Sequence, residues 1–149
     1  QKKEDAPPRI FLPWLFAADR SDHMESVVKP ALQQGTWVLS DRYYHSSLAY
    51  QTLDLPFDEV MDLNKTFPIP DVTLFLKIDV DTSLQRIQTR DDTREIFETR
   101  SILETVAAQY ETVNTRLRAR GDTLVDIDAT QTPDAVFQDI LAVLRDTIL

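Results

Sequence analysis

Cysteine is absent from the 149 residues, which excludes disulfides, thiolate metal sites and a cysteine nucleophile, and makes a cytoplasmic location the natural expectation. Glycine is almost as scarce, with only Gly35 and Gly121. Neither stands in a phosphate-cradling pattern of the form Gly-x-x-x-x-Gly-Lys-Ser/Thr. Long apolar runs are missing too, so no stretch approaches the ~20 residues of a membrane-spanning helix. Residues Gln1 to Pro8 do not carry the pattern of a signal peptide. There is no excess of positive charge: the net charge is −9, which argues against a general nucleic-acid binder needing a basic face to displace counterions. Internal repeats and low-complexity tracts are also lacking.

What is present is ordinary for one globular domain: 42% hydrophobic and 28% charged residues, enough to bury a core. We read residues 1–149 as a single domain with Gln1–Pro8 flexible. The lack of an initiating Met gives the expectation that the natural N-terminus lies upstream. Arginine outnumbers lysine eleven to five, which favours fork-shaped recognition of anions even in an acidic protein.

The most informative stretch follows Gly35. Thr36-Trp37-Val38-Leu39-Ser40 predicts a buried strand of a parallel sheet, delivering Asp41 and Arg42 to its carboxyl end, where open α/β sheets bind ligands. Asp41 there can hold a metal through water or orient an oxygen, and Arg42 can grip a phosphate with two hydrogen bonds; alternatively the two form a strand-end ion pair. Upstream, Ile10 to Ala18 predicts a helix that tolerates Pro13 near its first turn, and Ser21 is expected to cap a second helix reaching Gln34. Phe16 and Arg20 lie four apart and share a helical face, either as a ring and guanidinium suited to a nucleobase or as a core Phe beside a surface Arg. Downstream, Tyr43 to Leu53 is expected to be helical, with Ser46 and Ser47 where N–H groups attract anions.

The remaining elements read in order as a helix over Asp58–Asn64, a strand over Val72–Ile78, an Asp81-capped helix over Thr82–Arg90, and a long amphipathic helix over Glu95–Arg118. A strand over Thr123–Ile127 and a helix over Pro133–Ile148 complete the chain. Arg86, Arg90 and Arg94, spaced by four, form either a solvated basic face or a row awaiting an anion.

Phe16-Ala17-Ala18-Asp19-Arg20, Lys29-Pro30-Ala31-Leu32, Gly35, Asp41-Arg42-Tyr43, Ser46 and Ala49-Tyr50-Gln51, in this order and spacing, resemble the thymidylate kinases, nucleoside-monophosphate kinases that phosphorylate dTMP. The likeness continues through Pro70-Asp71, the strand and Asp79, then more weakly to the C-terminus. It implies an α/β fold with a P-loop NTPase-type parallel sheet flanked by helices, of which the N-terminal strand-loop-helix portion is absent from this chain. It also implies transfer of a phosphoryl group from ATP, with Mg2+, to dTMP, a homodimer in the cytoplasm, and neither nucleic-acid nor membrane partners.

The resemblance further assigns roles. Phe16 and Arg20 read thymine, Arg42 and Ser46 hold the acceptor phosphate, Tyr50 either packs on the sugar or is core, and Gln51 reaches the base, while Tyr110 either reaches the nucleotide or is core. Arg86 lies against adenine, Arg90 and Arg94 close over the transferring phosphoryl group, and Thr130 and Gln131 border adenine. Asp41 acts through metal-bound water or by positioning phosphate. Catalysis then rests on positioning and charge stabilisation. Without a phosphate loop the chain alone is expected to be inactive. The rival readings are a noncatalytic nucleotide-binding protein derived from a kinase and a kinase for another pyrimidine monophosphate.

Overall fold

The computed structural model describes residues 11–90 and 100–148. The chain divides into two compact units, Gln1–Pro68 and Ile69–Leu149.

In the first unit a long helical run begins with α1 (Leu12–His23), which carries proline in its first turn, where its missing N–H costs nothing. The run then loosens into a π-helical turn, Met24–Val28, and tightens again as α2 (Lys29–Gln33). The cause is local: Pro30 has no N–H to offer the Ser26 carbonyl, and the Ser26 hydroxyl donates back to the Asp22 carbonyl at 2.7 Å. Ser21 lies inside α1 rather than capping a second helix. Nothing between Ala18 and Ser21 interrupts helical backbone, so the expected boundary is corrected. Gly35 ends the run at φ 72°. Its N–H donates to Leu32 O at 2.9 Å and that of Thr36 to Ala31 O at 3.0 Å, the paired bonds of a left-handed helix stop.

The buried strand expected at residues 36–40 does not form. The segment carries no strand pairing, and Trp37 is 64% and Leu39 96% exposed. A strand exists only where a neighbour supplies backbone partners, and among the described residues the two strands found pair only with each other. Beyond this segment, α3 (Tyr44–Gln51) and α4 (Phe57–Asn64) fold against each other and against α1. Tyr44, Leu48, Ala49 and Val60 form the buried centre, while Asp58 and Glu59 favour the positive N-terminal end of α4.

The second unit is a parallel pair, β1 (Thr73–Lys77) and β2 (Leu124–Asp128), in register from Thr73 opposite Leu124 to Lys77 opposite Asp128. The crossover contains α5 (Val80–Arg90) and α6 (Arg100–Arg120), and α7 (Pro133–Thr147) follows β2. Buried Val106, Val113 and Leu117 of α6, with Ile127 of β2, supply the core. Asp79, not Asp81, caps α5. It accepts from the Thr82 N–H at 2.8 Å and the Thr82 hydroxyl at 2.7 Å, because the helix begins earlier than the apolar pattern suggests. Asp81 pairs instead with Arg100. Gly121, at φ 102°, stops α6 as Gly35 stops α2. Together these elements give a mixed α/β architecture with a parallel sheet, consistent with a P-loop kinase fold.

Candidate functional site

The best-defined cluster of the first unit surrounds Arg20. Its Nη2 donates to Ser47 Oγ on α3 at 2.8 Å, and its Nη1 donates to Asn64 Oδ1 on α4. The rings of Tyr43 and Phe67 lie with centroids 5.6 and 5.5 Å from Cζ, within cation–π range. Burial lowers the Arg20 pKa from its ordinary value, opposed by Tyr43 and Asp19. The Tyr43 phenol is pushed up by burial, with Arg20 opposing. The phenol also donates to Pro68 O at 3.2 Å. One helical turn before Arg20, Phe16 leaves 49% of its surface in solvent, an aromatic face open to stacking.

Arg42 adopts a left-handed backbone at φ 66°, uncommon for a residue with a Cβ. The Ser40 hydroxyl donates to its carbonyl at 2.6 Å, and its guanidinium lies 5.8 Å from the Tyr50 ring centroid. Asp41, Arg42 and Tyr50 are exposed. Ser46 is half-buried in the first turn of α3, and its N–H donates to Tyr43 O at 3.1 Å. Gln51 is buried, and its Oε1 has no hydrogen-bond partner among the described residues.

In the second unit Arg86 crosses from α5 to the loop after β2, donating to the carbonyls of Ala129 at 2.7 Å and of Thr130 and Gln131 at 3.2 Å each. Arg86, Thr130 and Gln131 are therefore brought together. Asp128 shapes the same loop, accepting from the Thr130 hydroxyl and N–H, which lower its pKa. An open depression at the carboxyl ends of β1 and β2 is lined by Lys77, Ile78, Asp79, Asp126, Asp128 and Thr130. Tyr110 lies 5.5 Å from Phe75, ring to ring, in a tilted contact on β1. Arg94 and the N-terminal lead-in Gln1–Pro8 lie outside the described residues, as does the side chain of Arg90.

Asn64, Phe67 and Tyr43 had no sequence signal marking them as partners of Arg20. Asn64 reads as the polar end of a short helix, and only the approach of α4 to α1 gives it a role.

Residues 1–140 match the family model for thymidylate kinase. Among similar proteins, the "Probable thymidylate kinase" of Halobacterium salinarum is 38% identical over 151 residues, covering 97% of this chain and 72% of that protein. The "Thymidylate kinase" of Xanthomonas oryzae pv. oryzae is 39% identical over 116 residues, 77% of this chain and 49% of that one. That of Prochlorococcus marinus is 36% identical over 116 residues, 74% of this chain and 55% of that one. The chain thus spans 72% of the length of the first relative and about half that of the other two. The class is that of nucleoside-monophosphate kinases, which are phosphotransferases. Within it, the chain belongs to the thymidylate kinase family.

Proposed function

We propose that this chain is the acceptor-binding and lid-bearing part of a kinase that transfers a phosphoryl group from ATP to dTMP, giving dTDP. The observation that carries the reading is Arg20, half-buried and tied to Ser47 and Asn64 one helical turn from the open ring of Phe16. A stacking face beside fixed donors suits a pyrimidine that presents a carbonyl. Arg42 offers a planar fork to the acceptor phosphate, with Ser46 beside it, Tyr50 against the sugar and Gln51 toward the base. Arg86, Thr130 and Gln131 serve adenine, Arg90 and Arg94 the transferring phosphoryl group, and Tyr110 the nucleotide. Charge that builds up as the bond breaks is stabilised by these cations, and positioning supplies the rest.

Magnesium accompanies ATP in this reading. Among the described residues no group of three or more His, Cys, Asp or Glu side chains is arranged to hold a metal, and Asp41 is an exposed carboxylate. That donor set fits an ion held mainly by phosphate oxygens and water, with Asp41 acting through a water. The ion supplies charge neutralisation on the phosphates. A homodimer in the cytoplasm is part of the same proposal, resting on the family resemblance.

A coupled assay of ADP release with dTMP, dUMP and dCMP as acceptors tests the reading, alongside direct dTMP titration. In a protein that joins these residues to a phosphate loop, preferred turnover of dTMP is expected, whereas the 149 residues alone are expected to bind dTMP without turning it over. In that protein, preference for dCMP moves the assignment to another pyrimidine monophosphate and saturable dTMP binding without turnover makes it a noncatalytic nucleotide binder, while no dTMP binding by either refutes the reading.

A further inference from the structure

We propose that Asn64 is a positioning residue for Arg20, fixing the guanidinium so that its donors meet a pyrimidine 4-carbonyl and reject a 4-amino group, a role that rests on the reading of Arg20 as the base-contacting residue. Asn64 is 3% exposed, and its Nδ2 donates to the Val60 carbonyl one turn back at 2.7 Å. That bond settles the amide orientation: Oδ1 is the end that faces Arg20 and accepts from Nη1. Ser47, 6% exposed on a different helix, accepts from Nη2 at 2.8 Å. One donor on each terminal nitrogen is thereby anchored, and the Tyr43 and Phe67 rings restrain the plane.

A guanidinium has five N–H donors in a rigid fork and no acceptor. Once two of its edges are tied down, the direction of the others is set. Both acceptors are neutral, so they hold the cation without cancelling its charge, which a carboxylate partner would do. Discrimination then follows from hydrogen-bond chemistry. A carbonyl accepts from the fixed donors, whereas an exocyclic amine faces them donor to donor and leaves both groups unpaired, which sets the two bases far apart in affinity. A guanidinium free to swing loses this contrast, because it can turn away from the amine.

The test compares Asn64→Leu, Asn64→Asp, Ser47→Ala and Arg20→Lys with the unaltered chain, by calorimetric titration with dTMP and dCMP and by thermal midpoint. Asn64→Leu is expected to weaken dTMP about tenfold and leave dCMP little changed, so the dTMP:dCMP affinity ratio collapses. Asn64→Asp, which keeps an acceptor at Oδ1 but adds charge and loses the donor to the Val60 carbonyl, restores the ratio only in part, and Ser47→Ala lowers it by a smaller factor than Asn64→Leu. A role in folding alone moves the midpoint and leaves the ratio where it was. If the ratio survives in Asn64→Leu and Ser47→Ala but collapses in Arg20→Lys, the positioning role is overturned and the base reading stands. If it survives in Arg20→Lys, or the unaltered chain binds no dTMP, the base reading falls and the positioning role with it. Should Asn64→Leu fail to fold, Ser47→Ala decides by the same criterion.

Discussion

Replacing Arg20 with Ala tests the first unit most directly, because its cost can be worked from the contacts. The substitution removes the donor to Asn64 Oδ1, an oxygen on a side chain 3% exposed. Leaving such an acceptor unpaired costs about 1–3 kcal/mol. Ser47 loses less, since a hydroxyl can rotate to another partner. Two ring contacts disappear, at about 0.5–1 kcal/mol each for partly exposed sites. Against these losses, the half-buried guanidinium no longer has to be desolvated, the main cause of its lowered pKa. The balance is a destabilisation of about 2–3 kcal/mol, or a fall of about 5–10 °C in midpoint for a chain of this size. Circular dichroism melts and urea titrations read it. An Arg20→Ala, Asn64→Leu double variant should lose less than the sum of the two singles, because removing both partners leaves no orphan. A midpoint within about 1 °C of the parent, or additivity within about 0.3–0.5 kcal/mol, refutes the argument.

Gly121→Ala should destabilise the second unit by about 1–2 kcal/mol through backbone conformation alone, since an added Cβ at φ +102° meets nothing within 4 Å; an unchanged urea midpoint contradicts this. Leu39→Asp should alter stability by no more than about 0.5 kcal/mol, because Leu39 is exposed, whereas a buried strand residue there would cost several times as much. The Asp79 carboxyl is held below its usual 3.8, first by the Thr82 N–H and then by the Thr82 hydroxyl. Its folded pKa is depressed, so its stabilisation is present above 3.8 and lost as pH falls through the folded value; Asp79→Asn, which removes the titrating group, should flatten the acid limb of a stability profile, and a superimposable limb rules the linkage out. Arg42→Gly should relieve a left-handed backbone and raise stability by about 1 kcal/mol, while lowering dTMP affinity to that of thymidine. Equal losses for both ligands argue against a phosphate grip.

The legible parts of the sequence were those set by local rules. β1 and β2 lie within the runs Val72–Ile78 and Thr123–Ile127 or one residue beyond, because clustered β-branched and apolar residues have few other uses. α4 and α7 fall within a residue of their expected bounds, fixed by proline at one end and loss of periodicity at the other. Residues 36–40 have the same composition as those strands and still pair with nothing among the described residues, since strand propensity describes a surface that accepts a neighbour and does not supply one. The two-residue shift of the α5 cap from Asp81 to Asp79 has a related cause: two acids lie close together, and only the path of the backbone out of β1 decides which meets the free N–H groups. At the site, the grouping of Arg86 with Thr130 and Gln131 came from the family resemblance, which sets all three around adenine, but the partners of Arg20 had no such guide, because Tyr43, Ser47, Asn64 and Phe67 reach it from segments far from it in sequence.

Arg20 and Arg42, the two arginines among the described residues of the first unit, are held by opposite means, and this bears on what each can do. Arg20 is fixed through its side chain, by acceptors on two helices and rings beside its plane, so its donors are oriented before any ligand arrives. Arg42 is fixed through its backbone, in a left-handed conformation braced by the Ser40 hydroxyl, while its guanidinium is exposed beside Tyr50. A base edge differs between pyrimidines by the exchange of one donor for one acceptor, and telling them apart needs a rigid reader. A phosphate presents equivalent oxygens over a wide range of directions, and an exposed fork at the end of a constrained turn is enough to hold it. On the proposed reading, selectivity for the base is therefore the more fragile property, lost through changes on α3 and α4 that never touch the ligand, whereas phosphate binding fails when Arg42, its turn or the neighbouring Ser46 is altered.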